Sequence, residues 1–415
     1  MPSILYLTRN GLLEPLGQSQ VFSYLRGLAK IHRITLITYE KKDDWADAQR
    51  VAALRTECER LGIRWLPQRF RPHPKVIAPA FSMVRMVWLV AREVKRQDVG
   101  LIHARSYIPA AVALVVSRFT GVPFIFDMRA LWPEELLTAG RLRRGSLIHK
   151  AIVAAERTCL RYAAAVVSLT HAAVEHLQRE YPNELSGQQI VVIPTCADLG
   201  RFVPAPQQTA QPVIGCLGTV LSGWFRLDWL AAFLAVAAQR NPTLRFELTT
   251  RDNPDHVRAA IGADADLQAR MNIAPCASDQ VHKVIQVQTA SVMFYTQRLS
   301  EIGRSPTRMG EVLGCGIPVV VNEGVGDVAH IVRKHRVGVL VAGGSVVEME
   351  AAWDELQRLL ADPGLATRCR QAAEEVFSLE TGTAAYGALY AKVLENRGSR
   401  SPRMHEKKHA TDPTL

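Results

Sequence analysis

The sequence predicts an α/β protein made of two tandem doubly wound domains. Short runs rich in β-branched residues alternate with longer amphipathic segments, a pattern typical of βαβ crossovers and parallel sheets. The 415 residues are too many for one small core and suit two domains of about 200 residues each. A hydrophobic content of 48% with 21% charged residues is that of a folded globular chain, which excludes disordered, collagen-like and coiled-coil chains.

The predicted strands fall into two series. Those of the first series are residues 3–8, 33–39, 63–67, 101–105, 123–128, 164–170 and 190–194, and those of the second are 213–218, 244–250, 291–296, 317–321 and 337–341. Between them lies a segment rich in Pro and Gln that reads as a linker. The predicted organisation is a first domain at 1–197, the linker at 198–211, a second domain at 212–379, a final helix at 380–396 and a disordered basic tail at 397–415.

Cysteine usage and hydropathy indicate a cytoplasmic protein. The seven cysteines are scattered and include no CxxC pair, so neither a disulfide framework nor a zinc site is expected. No apolar run approaches the roughly 18 residues that span a bilayer. We therefore expect no cofactor or metal and a location in the reducing cytoplasm.

The positive charge is concentrated in the first half of the chain. Residues 1–200 hold 27 Lys/Arg against 17 Asp/Glu, whereas residues 201–415 hold 23 against 22. An anionic partner of the first domain is expected, and nucleic acid, a membrane surface and a phosphorylated lipid or sugar all satisfy that charge. The segment 75–96 has apolar residues at helical spacing among basic ones, which fits either an ordinary core helix or an amphipathic helix that faces a membrane.

Ligands of such domains bind at the carboxyl ends of the strands, so the chemistry is expected in the cleft between the two domains. In the loop after the first strand, Gly17 leads into a helix and would let a phosphate or sugar approach the backbone, unless it simply forms a tight turn. In the segment 304–322, Ser305 can cap a helix in which Arg308 and Glu311 share one face. That arrangement suits a nucleotide diphosphate, and its alternative is a surface ion pair before a core strand.

A third group of polar residues follows the strand at 123–128. Asp127, Arg129 and Glu134 lie at the strand end beside the cleft, where a carboxylate could deprotonate an acceptor hydroxyl. Capping of the next helix by Glu134 and Glu135 is the alternative. His171, Glu175 and His176 match no zinc signature.

Five ordered segments give the chain a family resemblance. They read PLGQSQVFSYLRGLA (15–29), IHARS (102–106), FDMRALWPEE (126–135), VVIPTCADLGRF (191–202) and SPTRMGEVLGCGIPVVVNEGVGD (305–327). Together they resemble the retaining, GT-B-fold glycosyltransferases of family 4 over about residues 3–395. The resemblance implies two Rossmann-like domains facing across a cleft, with the final helix crossing back onto the first domain.

The resemblance also implies roles for particular residues. It implies that Gly17 approaches the donor diphosphate and that Glu311 holds the donor ribose. The further expected donor-binding residues are Ser305, Thr307, Gly218 and Arg226. The expected catalytic residues are Arg308, Arg304 and Asp127, and those expected on the acceptor side are His103, Arg105, Arg129 and Glu134.

The chain departs from the family pattern at three places. Gly303 stands where many members have the first of two glutamates, with seven residues between it and Glu311. The loop after the first strand of the second domain offers Arg226 alone, where many members have an Arg and a Lys. Arg105 stands where some members have a histidine.

The expected function is transfer of a sugar from a nucleotide diphosphate donor to a hydroxyl of a glycan or lipid-linked acceptor, with retention of configuration. The expected location is the inner face of the cell membrane, and the expected pathway is the synthesis of a cell-surface or extracellular polysaccharide. One alternative is a nucleotide-sugar epimerase of the same fold. A second is a basic nucleic-acid-binding protein, against which the basic half shows no recognised binding motif. The donor base, the donor sugar and the acceptor stay open.

Overall fold

The first domain contains a seven-stranded parallel sheet with helices on both faces. The structure is a computed structural model that describes residues 3–70, 77–206 and 211–400, with backbone alone for 77–82 and 398–400. The strand order is β3-β2-β1-β4-β5-β6-β7. The strands are β1 (Ser3–Thr8), β2 (Arg33–Glu40), β3 (Arg64–Arg69), β4 (Val99–Arg105), β5 (Phe124–Asp127), β6 (Ala165–Ser168) and β7 (Ile190–Val192). The helices are α1 (Pro15–Gly17), a π-helical turn (Gln18–Phe22), α2 (Ser23–Leu28), α3 (Lys42–Ala46), α4 (Ala48–Arg60), α5 (Ile77–Arg96), α6 (Tyr107–Thr120), α7 (Trp132–Thr138), α8 (Leu147–Tyr162), α9 (His171–Glu180) and α10 (Pro182–Leu185).

The second domain is a six-stranded parallel sheet with the order β10-β9-β8-β11-β12-β13. Its strands are β8 (Val213–Leu217), β9 (Arg245–Thr249), β10 (Met271–Ala274), β11 (Ala290–Met293), β12 (Val319–Asn322) and β13 (Gly338–Val341). Its helices are α11 (Leu227–Arg240), α12 (Pro254–Ile261), α13 (Ala265–Ala269), α14 (Val281–Gln286), a 3-10 turn (Leu299–Gly303), α15 (Thr307–Gly314), α16 (Val328–His335), α17 (Val346–Leu360) and α18 (Leu365–Phe377). A last helix, α19 (Leu379–Arg400), follows α18.

Each sheet separates two apolar clusters. In the first domain, α5, α6 and α8 pack on one face of the sheet, and α2, α4 and α19 pack on the other. The second sheet is covered on both faces in the same way. Burial of both faces explains why the strands read as continuous β-branched runs. The predicted class, α/β with two doubly wound domains in a GT-B arrangement, is confirmed.

The edge strand β10 was not predicted from the sequence. It pairs only with β9 among the described strands, and Asn272 on it is exposed. Four residues with a polar one in the middle carry no β-branched run, so tertiary pairing rather than local propensity forms this strand.

Helix α19 returns from the second domain and packs on the first. Tyr386, Leu389, Tyr390 and Val393 join the apolar cluster that holds α2. The helix continues through Arg400, so residues 397–400 are helical rather than the start of a disordered tail. Residues 401–415 of the predicted tail and 207–210 of the predicted linker lie outside the described residues.

Candidate functional site

Helix α15 begins at the edge of the cleft between the domains. Pro306 occupies its N-cap position, and no side chain caps the first turn. The expected cap, Ser305, is used elsewhere, because its hydroxyl accepts a hydrogen bond from the backbone N–H of Thr195 in the first domain at 3.1 Å. The prediction that Ser305 caps this helix is therefore wrong. Because no side chain caps this first turn, its backbone N–H groups can bind an anion.

Glu311 and Arg308 lie on one face of α15, as the sequence predicts. The Arg308 guanidinium donates to the Glu311 carboxylate, which is 7% exposed. Arg308 is 37% exposed at its side chain, so it lies at the boundary between protein and solvent. The pair is thus half-buried rather than a solvated surface bridge.

Arg304 lies between aromatic rings just before α15. Its guanidinium is 5.5 Å from the Trp224 ring centre and 5.4 Å from that of Tyr295, and it donates to the buried Glu301. Burial alone would lower the pKa of Arg304, but the bond to Glu301 raises it overall. Arg304 is therefore a fixed cation at the entrance to α15.

Two residues expected at the donor are in the loop after β8. Arg226 is committed to its own helix, since it forms a two-pronged bond with Asp228 at 2.8 and 2.6 Å and stacks on Trp229. Gly218 has φ +119°, a value that L side chains rarely adopt, and donates its N–H to Thr249. The loop backbone is further fixed by Asp252, whose carboxylate accepts from the N–H of Val220 at 2.7 Å.

Gly17 is required by the packing of its own loop. A Cβ atom there would lie 2.0 Å from the carbonyl oxygen of Gly11, and Gly17 itself has ordinary helical torsion angles. The amides of Leu12 and Leu13 are occupied by the buried Glu40 carboxylate at 2.7 and 3.2 Å. The glycine thus allows two backbone segments to touch, which is the tight-turn alternative, and its approach to a diphosphate stays a prediction.

Asp127 is at the centre of a buried polar cluster. Its Oδ2 accepts hydrogen bonds from Arg105 at 2.7 Å, His103 at 3.1 Å and the Tyr386 hydroxyl at 3.1 Å. Burial alone would raise the pKa of Asp127, but Arg105 and His103 hold it well below its usual range. With 0% exposure, Asp127 does not reach the surface of the cleft, so its burial does not support the expected role as a catalytic base.

His103 is equally enclosed. Its ring stacks on Tyr6 with 4.2 Å between centroids, and burial lowers its pKa despite the neighbouring Asp127. A neutral ring that donates from Nε2 to Asp127 accepts at Nδ1 from the Tyr390 hydroxyl, 2.7 Å away. At 1% exposure His103 cannot contact an acceptor as expected.

Arg105 links this buried cluster to residues at the cleft. One of its nitrogens donates to Asp127, and the other donates to the Gln20 side chain at 3.0 Å. The amide nitrogen of Gln20 in turn donates to the Thr307 hydroxyl at 3.2 Å. A continuous chain of hydrogen bonds therefore joins α19 to the first residue of α15. Gln20 was not predicted as a site residue, although it lies in the segment 15–29, one of the five that carry the family resemblance.

Arg129 has an unusual backbone and a crowded electrostatic environment. It adopts φ +53°, which is uncommon for a residue with a side chain. Burial lowers its pKa; Glu135, 3.5 Å away, opposes this shift, and the like charges of Arg105 and Arg304 add to it. Arg129 thus lies in the cleft near two other cations.

Glu134 does not share this environment. It pairs with Arg144 at 2.7 Å, and with Glu135 it belongs to the first turn of α7. No side chain forms a capping hydrogen bond on α7, so Glu134 is there only a first-turn charge beside Arg144, and its contact with an acceptor stays a prediction.

Direct hydrogen bonds also join the second domain to α9 of the first. The Asp327 carboxylate accepts from the backbone N–H groups of His171 and Ala172, at 2.8 and 3.0 Å, at the start of α9. Beside it lies a cavity of about 720 Å³ whose lining includes Arg304 and Ser305 but not Gly17, Arg308 or Glu311.

The one Asp-x-Asp triplet of the sequence, Asp264–Asp266, is used in local structure. Asp264 caps α13 through the N–H of Leu267 at 2.8 Å, and Asp266 pairs with Arg270. Both carboxylates therefore have partners within a few residues in the second domain.

Comparisons with known proteins identify one family match and several structures with the same fold. Residues 18–196 match the family model described as Glycosyl transferase 4-like domain. A search of curated protein sequences found no significant match. Among solved structures, a glycosyltransferase from Rickettsia africae has a TM-score of 0.69 at 16% identity, over 95% of this chain and 99% of its own.

Two further solved structures have the same fold. Anabaena HepE in complex with UDP-glucose has a TM-score of 0.64 at 16% identity, over 94% of this chain and 100% of its own. The lipopolysaccharide outer core galactosyltransferase WaaB has a TM-score of 0.64 at 13% identity, over 94% of this chain and 99% of its own. Residues 18–196 thus resemble the Glycosyl transferase 4-like domain, and the chain as a whole has the GT-B fold.

Proposed function

We propose that the protein transfers a hexosyl group from a nucleotide diphosphate sugar to a hydroxyl of a glycan or lipid-linked acceptor, with retention of configuration. The observation that carries this proposal is the start of α15, where a turn without a side-chain cap, the half-buried Arg308–Glu311 pair and Arg304 lie together. Anabaena HepE, which has the same fold, was solved with UDP-glucose. Synthesis of a cell-surface or extracellular polysaccharide is the proposed pathway.

Glu311 is proposed to hold the donor ribose. Its carboxylate lies one turn inside α15, so a diphosphate at the positive end of the helix would place the ribose within its reach. Arg308 now donates to Glu311, and it would turn toward the phosphates when the donor binds. Hydrogen bonds to a carboxylate are worth roughly 1.5–3 kcal/mol each, which is enough to orient the nucleotide.

Three arginines are proposed to stabilise the leaving diphosphate. In the second domain, Arg304 precedes α15 and Arg308 lies in its first turn, whereas Arg226 is bonded to Asp228 at the start of α11. From the first domain, Arg129 is held in a strained backbone next to like charges. A diphosphate between the domains would relieve that repulsion, because it pairs with each guanidinium.

The proposed reaction takes place on one face of the sugar. The bond between the anomeric carbon and the diphosphate oxygen breaks, and the acceptor oxygen forms its bond on the same side. The acceptor proton passes to the leaving diphosphate, so no protein carboxylate is needed as nucleophile. Asp127, which is fully buried, would act only through Arg105 and Gln20. We expect this chemistry to need no metal ion.

We further propose that the first domain contacts the inner face of the cell membrane. No helix among the described residues is long and apolar enough to cross a bilayer. On α5, Val84 and Trp88 are exposed beside Arg85 and Arg92. Neutralising Arg85, Arg92 and Arg96 together is expected to weaken binding to vesicles of acidic lipid.

A thermal-shift screen of nucleoside diphosphates and their sugars would test the proposal. One nucleotide series should raise the melting temperature of the wild type, and the same nucleotide at the same concentration should shift the Glu311→Ala variant clearly less. With an acceptor, nuclear magnetic resonance should then find the product with the donor's anomeric configuration. Epimerised sugar formed without acceptor would instead favour the epimerase alternative.

A further inference from the structure

Three neighbouring helices form an outer face on the first domain. Helix α6 lies between α5 and α8 and contacts both, and the inner sides of all three pack on the sheet. We call their solvent side, together with residues 141–146, the outer helical face.

The outer helical face exposes many lysine and arginine side chains. No carboxylate of α5, α6 or α8 is exposed on it. The only acidic residues of α5, α6 and α8 are Glu93 and Glu156, and both are buried. Glu93 pairs with Arg64 and Arg92, whereas Glu156 accepts from two tyrosine hydroxyls. The exposed cations of the face are Arg85, Lys95, Arg96, Arg118, Arg141, Arg143, Arg144, Lys150, Arg157 and Arg161.

A shallow groove of about 740 Å³ runs along α8 within this face. Its basic lining residues are Arg118, His149, Lys150, Arg157 and Arg161. Its one carboxylate, Glu184, is bonded to Arg157 at 2.6 Å. Across the described ranges 3–70, 77–206 and 211–400, Arg118, Lys150 and Arg161 form no ion pair, so these three cations are available to an anion.

Large apolar side chains flank the groove at both ends. Phe119 is 85% exposed at the end of α6, next to Arg118, whose guanidinium is 4.0 Å from the Tyr162 ring at the end of α8. Leu147 and Ile148, 84% and 68% exposed, begin α8 at the opposite end. Such exposure leaves apolar area in water, and its combination with cations is typical of a helix that lies in a membrane interface.

We propose that the outer helical face docks on a bilayer that contains anionic lipid, with the α8 groove as the main contact. Phe119, Leu147 and Ile148 enter the headgroup region, and Arg118, Lys150 and Arg161 bind lipid phosphates. A nucleic acid would use the cations but leave the three apolar side chains in water. On α5 the arginines are partly engaged, since Arg85 donates to Gln68 and Arg92 to Glu93, which is why the groove on α8 dominates.

This inference deepens the proposed membrane contact and does not depend on the proposed sugar transfer. Co-sedimentation would test it with vesicles of phosphatidylcholine, with and without phosphatidylglycerol. A basic residue near an anionic surface contributes about 1 kcal/mol, so the triple variant R118Q/K150Q/R161Q should bind acidic vesicles about a hundredfold more weakly than the wild type. The control K30Q/R33Q/R60Q loses the same charge from exposed positions away from the outer helical face and should bind like the wild type.

A second variant tests insertion separately from charge. At a salt concentration that screens the lysines and arginines, F119S/L147S/I148S should lose the binding that the wild type retains. The proposal is overturned if the wild type ignores acidic vesicles, if the control loses as much as the α8 variant, or if duplex nucleic acid binds the face and vesicles do not. Nucleoside diphosphate binding, measured on the same samples, distinguishes the two proposals: vesicle binding without nucleotide binding contradicts the sugar transfer alone.

Discussion

Gln20 and Thr307 meet across the domain cleft, where the Gln20 side-chain amide donates to the Thr307 hydroxyl at 3.2 Å. Gln20 is itself held by Arg105, and Arg105 by Asp127. The start of α15 is thereby linked to a buried cluster that includes Tyr386 and, through His103, Tyr390 of α19. The position of the candidate donor helix therefore depends on the return of the last helix to the first domain.

Replacing Gln20 with Ala should reduce kcat/KM about fivefold with little change in unfolding free energy. The expected size is that of one neutral hydrogen bond, about 1 kcal/mol, lost between the domains. Initial rates with donor and acceptor would measure it, and the neighbouring Ser19→Ala, which alters an exposed side chain, is the control. Equal rates for Gln20→Ala and the wild type would show that this contact does not position α15.

Replacing Asp127 with Ala should lower the unfolding free energy by about 3–5 kcal/mol. The loss leaves the buried Arg105 charge without its carboxylate. Urea unfolding would measure the change, and Asp127→Asn, which keeps an acceptor for the hydrogen bonds, should lose less. A fully stable Asp127→Ala protein without activity would instead restore the catalytic role that the sequence predicts.

Acid should destabilise the fold, in part through His103. Burial lowers the pKa of His103 in the folded protein, whereas in the unfolded chain it takes up a proton near pH 6.5. The unfolded state then binds more protons, so stability falls as the pH drops below about 6.5. Burial lowers the pKa of His32 and His335 as well, which adds to the slope. Urea unfolding from pH 7.5 to 5 should show a shallower slope in His103→Gln, and an unchanged slope would contradict the assignment.

Replacing Gly17 with Ala should destabilise the first domain by about 1–3 kcal/mol, because the new methyl group would press on the Gly11 carbonyl. Gly223→Ala is a matched control, since a Cβ there meets nothing within 4 Å. Thermal unfolding would compare the two. If Gly17→Ala were as stable as the control yet failed to bind nucleotide, Gly17 would be a donor contact rather than a packing position.

Local patterns predicted most of the fold but not its long-range contacts. The β-branched runs identified twelve of the thirteen strands found in the described residues, since buried parallel strands have that composition. Asp127 and His103 were correctly placed at or near strand ends. Their burial depends on Tyr386, 259 residues from Asp127 along the chain, and no local pattern shows which strand end a later helix will cover. The sequence signal for this contact was the pair of tyrosines Tyr386 and Tyr390, one helical turn apart on the last helix.

The candidate donor site was predicted better because it is local. Arg308 and Glu311 are three residues apart on one helix, so helical geometry alone places them together. The partner of Arg226, Asp228, is also local, only two residues away, and the expected contact of Arg226 with the donor stays a prediction. The role proposed for Arg129 is argued from its backbone φ angle and its charged neighbours, neither of which can be read from sequence.

Calorimetric titration of the wild type and Glu311→Ala with the nucleoside diphosphate that the thermal-shift screen selects tests the central claim most directly. If Glu311 holds the donor ribose, the variant should bind about ten- to hundredfold more weakly while its thermal unfolding stays cooperative. Arg308→Ala, made alongside, should affect turnover more than affinity, because phosphate charge grows as the glycosidic bond breaks. Wild-type affinity in Glu311→Ala would contradict the ribose assignment and the donor site built on α15.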